Sequence, residues 1–349
     1  MANNKLRAVV CGCGGISRAW VGPLGARGDV EVAGLVDLRE ESARRLAAES
    51  GLREAVVGTD FEGVLDQTRP DIVFDCTVPE AHAAVTLTAL ARGCHVFGEK
   101  PLADTMENAA RMVAAARKAG RIYAVMQNRR YDPNVRALRR FVESGAIGPV
   151  TTVHCDFFIG AHFGGFRDRM RHVLLLDMAI HTFDAARLIS GADPVSALCH
   201  EWNPPGSWYD HDASAVAVFE MTRAVVYSYR GSWCAEGRGT TWESSWRVIG
   251  EKGSVTWDGA REFRAQAVTG GTGFSRELKE AAVPPPDADG GPRGHAGAID
   301  EFLRCVREGG APETVGDDNI KSLAMVHAAV ASAQEGRRVR IAELPGMGG

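Results

Sequence analysis

The sequence predicts an α/β protein in two parts: a doubly wound parallel sheet, then an α+β domain with a mostly antiparallel open sheet. Three observations predict it. Strand-length apolar runs alternate with helical segments from Leu6 to Met126, the rhythm of a parallel sheet. A glycine-rich turn, Gly12-Cys-Gly14-Gly15-Ile16-Ser17, joins the first strand to the first helix. After Gln127 the alternation gives way to extended segments with short connections, which suit antiparallel pairing. The chain has 349 residues, and at ~150 residues per domain it accommodates about two domains, divided here as 1–127 and 128–349.

Ala8-Val-Val10 reads as a buried strand running into the turn. Gly12 permits the bend, Gly14 lets the backbone approach a pyrophosphate, and the next helix aims its N-terminal N–H groups at the phosphates. Ser17 stands where a third glycine or alanine is usual. The second strand, 30–36, ends in Asp37, at the offset of an acid that binds an adenosine ribose 2′-hydroxyl. Such an acid repels a 2′-phosphate and favours NAD over NADP, while Arg39, Arg44 and Arg45 soften that preference. Next come a helix over 39–50, a strand over 55–57 and a helix over 60–67. The fourth strand, 71–77, leads to a helix with Pro79 in its first turn, where a missing N–H costs nothing. The fifth strand is 94–97. A helix over 104–119 has Asp104 and Glu107 spaced as a capping box and Gly120 past its end, and the sixth strand is 122–126.

In the second half, Asp132-Pro133 opens a helix that ends at Gly145, and 150–159 is strand-like. Residues 161–172 form a loop rich in Gly, Arg and Phe, and 173–190 is an apolar helix closed by Gly191. Extended segments follow at 195–201, 213–220, 223–233 and 242–257. A Pro- and Gly-rich loop over 283–294 precedes two helices, 295–309 and 316–334.

Composition excludes several classes. Net charge is -4, and no basic run is interleaved with aromatics, so nucleic acid is not an expected partner. The opening Met-Ala-Asn-Asn-Lys lacks the apolar core of a signal peptide, and no apolar run approaches the ~18 residues of a bilayer span, so a cytoplasmic, membrane-free protein is expected. The 8 cysteines include no Cys-x-x-Cys pair and read as reduced core thiols. His154, His162 and His172 lack metal-ligand spacing, and no metal is expected.

In a doubly wound sheet the ligand lies across the carboxyl ends of the strands. That rule singles out Glu99 and Lys100 after the fifth strand, with Pro101 holding Lys100 extended. Asp177-Met-Ala-Ile-His181 puts a carboxylate and an imidazole one helical turn apart, with Asp184 on the same face, inside an apolar helix. Burying such a pair is costly unless it is hydrogen-bonded or functional, and His suits proton transfer near neutral pH. Arg129 and Tyr131, after the sixth strand, are candidates for substrate binding or for packing between domains. Trp202, Trp208, Tyr209, His211 and Trp233 offer flat faces that could stack on sugar rings.

With Gly12-Cys-Gly-Gly-Ile-Ser, Cys76-Thr-Val-Pro79, Gly98-Glu-Lys-Pro101 and Asp177-x-x-x-His181 in this order, the chain resembles the Gfo/Idh/MocA oxidoreductases over about residues 5–341. The resemblance implies a Rossmann domain, NAD(P)-linked redox chemistry on sugars, cyclitols or their derivatives, and a homodimer or homotetramer built on the open sheet. It assigns Gly12, Gly14, Gly15, Ile16, Asp37, Thr77, Pro79, His82, Glu99 and Lys100 to the cofactor. Lys100 matches the lysine that contacts the reacting hydroxyl, His181 the proton donor and acceptor, and Asp177 its orienting partner. Val173, Leu174 and Ala179 stand where many relatives carry glycines, which bears on substrate shape. Two other readings stay open: redox-assisted cleavage of a glycosidic bond, and a non-catalytic dinucleotide-binding sensor.

Overall fold

A computed structural model describes residues 5–348; Met-Ala-Asn-Asn, read above as lacking a leader's apolar core, lies outside them. The first unit is built on β1 (Leu6–Cys11), α1 (Ser17–Gly25), β2 (Val30–Val36), α2 (Glu40–Glu49), β3 (Val56–Gly58) and α3 (Phe61–Thr68). It continues through β4 (Ile72–Asp75), α4 (Pro79–Ala91), β5 (His95–Gly98), α5 (Met106–Ala119) and β6 (Tyr123–Val125). All six strands are parallel, in the order β3-β2-β1-β4-β5-β6. The order reverses between β1 and β4, which makes their carboxyl ends the switch point. Central strands are covered on both faces, which is why Ala8-Val-Val10 and Ile72-Val-Phe74, all 0 % exposed, read as unbroken apolar runs. The cap of α5 is displaced from its expected place. Thr105 accepts from Asn108 N at 3.2 Å, while Asp104 accepts from Thr105 N and from the Asn108 amide.

The second unit takes residues 129–291 and the stretch after Ile320. In α6 (Pro133–Glu143), Asp132 caps the start by accepting from Asn134 N at 2.8 Å and Val135 N at 3.1 Å, as its sequence implies. After β7 (Val150–Phe158) and the 159–173 loop, the apolar helix is not a uniform α-helix. Leu174–Ala179 is a π-helical turn, and α7 (Ile180–Ser190) follows, closed by Gly191 at φ 62°. The sheet then adds β8 (Pro194–Trp202), β9 (Ser214–Met221), β10 (Val226–Ser232), β11 (Ser245–Gly250), β12 (Gly253–Trp257), β13 (Phe263–Gly270), β14 (Glu277–Glu280) and β15 (Val339–Arg340). Its order is β14-β13-β12-β11-β7-β10-β9-β8-β15, antiparallel except for the β7–β10 pair. The stretch expected as one strand over 242–257 is the β11–β12 hairpin, and β13 and β14 were not foreseen. On one face α7 lays Phe183 against Phe219, Tyr227 and Tyr229, with centroids 4.8, 6.0 and 5.2 Å apart.

Residues 292–320 return to the first unit, so the dinucleotide-type unit is not confined to 1–127. They supply α8 (Gly294–Glu308) and lead into α9 (Gly316–Glu335). Phe302 of α8 stacks on Phe97 at 4.8 Å and sits 6.2 Å from Phe74, and Trp20 closes the same aromatic box. Val125 N donates to Thr314 O at 3.0 Å and Ala124 bridges Val315, which covers the open edge of β6. No helix among the described residues is long and apolar enough to cross a membrane.

Candidate active site

At the carboxyl end of β1, Gly12 adopts φ 88°, and a Cβ there would lie 2.6 Å from the Cys76 carbonyl. Only glycine lets these two loops approach. Gly14 and Gly15 are different: a Cβ on either meets nothing within 4 Å. The protein's own packing does not require glycine there, and bare backbone facing open space is what a pyrophosphate needs. Ser17 is fully buried and its hydroxyl donates to Gly14 O at 2.6 Å, fastening the turn. Ile16 is exposed on this edge, as are Leu38 (95 % exposed) and Val78 (61 %), two residues the sequence reading missed. An apolar residue directly after the acid that ends β2 was the available signal.

Asp37 accepts from Cys13 N at 2.8 Å and from Arg39 N at 2.9 Å, which orients its carboxylate and leaves it further lone pairs. Asp75, not singled out from sequence, organises the β4 loop. It is fully buried and accepts from Thr77 N at 3.0 Å and Thr77 Oγ at 2.5 Å. Burial pushes its carboxyl above the ordinary range against the pull of His82 and Thr77. Pro79 occupies the first turn of α4 as expected.

Two expected cofactor residues face the protein instead. His82 is 1 % exposed, with Nδ1 3.0 Å from Pro101 O and Nε2 3.2 Å from Thr77 O, so it ties the loops after β4 and β5 together. Glu99 accepts from Trp20 Nε1 at 2.7 Å and from Lys100 N at 3.2 Å. Its burial raises the carboxyl pKa, but hydrogen bonds from His295 and Trp20 outweigh that and hold it below the usual range. Both therefore support the site from behind. Lys100 follows, half-buried, at a cis bond to Pro101.

In the second unit, from Val173 to Ser190 every residue is buried except Leu176, Asp177 and His181. Asp177 and His181 are thus the polar side chains this helix brings to accessible surface. Asp177 lies inside the π turn and His181 just beyond it, in the first turn of α7. Asp177 receives Arg167 Nε at 2.8 Å and Nη2 at 3.4 Å. Arg167, from the loop before the helix, lies over Phe163 and Phe166 at 4.9 and 4.8 Å.

Asp184 does not extend this face. It is buried in a two-bond pair with Arg130, 2.7 Å each, and accepts from Ser322 at 2.6 Å, a core network. Arg129 is nearly buried, 3.3 Å from Glu243, and burial pushes its guanidinium below the ordinary value despite that carboxylate. Its Nη2 stands 3.7 Å from Met178 Sδ, so it buttresses the π turn. Tyr131 is 9 % exposed beneath the Arg136 guanidinium. The stacking candidates also shift. Trp233 and Tyr209 are buried, Trp208 packs on His162 at 3.6 Å, and Trp202 lies against His200 on the sheet. His211 is half-buried. Exposed rings stand instead on loops that carry no periodic signal: Phe163 and Phe166 against Arg167, and Trp242 6.3 Å from Phe163.

Comparison with known proteins follows this division. A family model described as "Oxidoreductase family, NAD-binding Rossmann fold" matches residues 6–127, and one described as "GFO/IDH/MocA C-terminal domain" matches residues 135–256. The chain is 27 % identical over 336 residues to a 1,5-anhydro-D-fructose reductase of Ensifer adhaerens, covering 95 % of this chain and 97 % of the other. It is 26 % identical over 358 residues to a myo-inositol 2-dehydrogenase of Thermotoga maritima, covering 98 % and 100 %. An oxidoreductase from Agrobacterium radiobacter, solved with NAD+, L-tartaric acid and magnesium, superposes with a TM-score of 0.83 at 20 % identity, covering 97 % and 99 %.

Proposed function

The chain belongs to the Gfo/Idh/MocA oxidoreductase family, and from that membership we propose that it interconverts a secondary alcohol and a ketone on a sugar, cyclitol or sugar derivative, using NAD. The carrying observation is that one chain holds both an NAD-type turn, with open space over Gly14 and Gly15, and a buried helix that exposes Asp177 and His181. Bound NAD supplies the hydride acceptor. The turn from Gly12 to Ile16, Asp37 and the Thr77–Pro79 loop hold it. In the oxidative direction His181 takes the hydroxyl proton, Asp177 orients the imidazole, and Lys100 stabilises charge developing on the alcohol oxygen. Asp37 supports NAD over NADP, because a 2′-phosphate would meet a carboxylate already fixed by two backbone N–H groups.

The setting is proposed to be cytoplasmic, in keeping with eight free cysteines. A homodimer or homotetramer is supported by Leu198, Val216, Val218 and Val226, which leave the outer sheet face 38–46 % exposed at each position. The test is a spectrophotometric screen of sugars, cyclitols and sugar acids with each nicotinamide cofactor. Lys100→Ala and His181→Ala are each expected to lower kcat by ~10²–10⁴-fold with NAD affinity retained. Normal turnover in both variants removes the assignment.

A further inference from the structure

We propose that Phe163, Phe166 and Trp242 form an extended carbohydrate subsite beside Asp177, so that the preferred substrate is a glycoside of two or more sugar rings. This rests on the redox reading above for the role of Asp177, and it goes further by naming the substrate class.

Three facts carry it. First, the rings are open: Phe163 is 41 %, Phe166 64 % and Trp242 50 % exposed. Second, Phe163 and Trp242 stand on a fixed base, while Phe166 is held under Arg167. Trp233, only 1 % exposed, meets Phe157 edge-on at 4.9 Å, Phe163 at 5.1 Å and Trp242 at 5.5 Å, while Phe163 and Trp242 lie 6.3 Å apart. A platform already ordered before binding loses little freedom when a ligand settles on it. Third, the platform is joined to the polar centre by one guanidinium. Arg167 covers both phenylalanines and donates to Asp177 at 2.8 Å.

Flat apolar faces beside a guanidinium–carboxylate pair match the two sides of a pyranose, its C–H face and its hydroxyl rim. Phe163 and Phe166 lie one contact beyond Asp177, through Arg167, and Trp242 beyond Phe163, so a sugar reacting beside His181 leaves them to its neighbour along a glycosidic chain. A protein partner fits less well. Three half-exposed rings offer on the order of 300 Å², against the ~800 Å² per partner of a specific protein interface.

The experiment uses the full chain with glucose, maltose, cellobiose, sucrose and trehalose, comparing NAD reduction with calorimetric binding. At least one disaccharide is expected to exceed glucose by about tenfold in affinity and in kcat/KM. Trp242→Ala and Phe166→Ala should erase that advantage through KM, with the loss falling about tenfold more on the disaccharide than on glucose. Equal losses on both sugars, no disaccharide advantage, or a change of sedimentation in the variants overturns the proposal. Calorimetry separates the two readings. Disaccharide binding that Trp242→Ala abolishes, without NADH formation, keeps the subsite and removes the redox assignment. Turnover of single sugars with no disaccharide gain does the reverse.

Discussion

Gly12 and Gly14, two residues apart, are glycines for opposite reasons. Gly12 is demanded by the protein, since a methyl group would collide with the Cys76–Thr77 backbone and φ 88° disfavours any side chain. Gly14 is not demanded by the protein's own packing, and in the proposed function its bare backbone serves the pyrophosphate. Gly12→Ala is therefore expected to lower stability by roughly 1–3 kcal/mol in thermal or urea unfolding. Gly14→Ala should melt with wild-type protein and lose NAD affinity in a fluorescence titration. Both glycines were legible from their place after an apolar strand, as were Asp177 and His181 from their place in an apolar run. Asp75 carried a similar signal, an acid ending Ile-Val-Phe, yet its role depends on Thr77 and on complete burial. The inward turn of His82 and Glu99 was not readable, because Pro101 and Trp20, which receive them, are remote in sequence.

Elements of the first unit were read closely because each buried parallel strand is a continuous apolar run. In the second unit β14 escaped notice because Glu-Leu-Lys-Glu is exposed along its whole length and leaves no hydrophobic trace. The π turn has no sequence mark of its own, and Arg129, whose Nη2 stands 3.7 Å from Met178 Sδ within it, comes from another element. The β9–β10 connection is legible in outline but odd in chemistry. Arg223 and Ala224 both take positive φ, 58° and 56°, in a tight turn closed by Val225 N donating to Thr222 O, a geometry that favours Asn-Gly. Arg223 is retained there by donating to Ser190 O at the end of α7. Ala224→Gly is expected to raise stability by ~1 kcal/mol, seen as a higher urea midpoint with an unchanged slope.

For the molecule as a whole, the change of rhythm after Gln127 marks where the second unit starts, but nothing local to residues 292–320 announces that they belong to the first. Their amphipathic pattern says helix; only Phe74, Phe97 and Trp20 say which surface. A fragment ending at Asn128 lacks Phe302 over that aromatic box and Thr314 along β6. It is expected to be aggregation-prone and to show weak near-ultraviolet dichroism, and adding residues 292–320 through a short linker should restore both order and NAD binding.

That discontinuity also sets a timetable for synthesis. Between the last strand of the first sheet and the helix that seals it, the ribosome must make the roughly 160 residues of 129–291, on the order of 10–30 s at ~5–20 residues per second. Throughout that interval Phe74 and Phe97 have Trp20 beside them but lack Phe302, a greasy landing ground for holding chaperones and a hazard when expression outruns them.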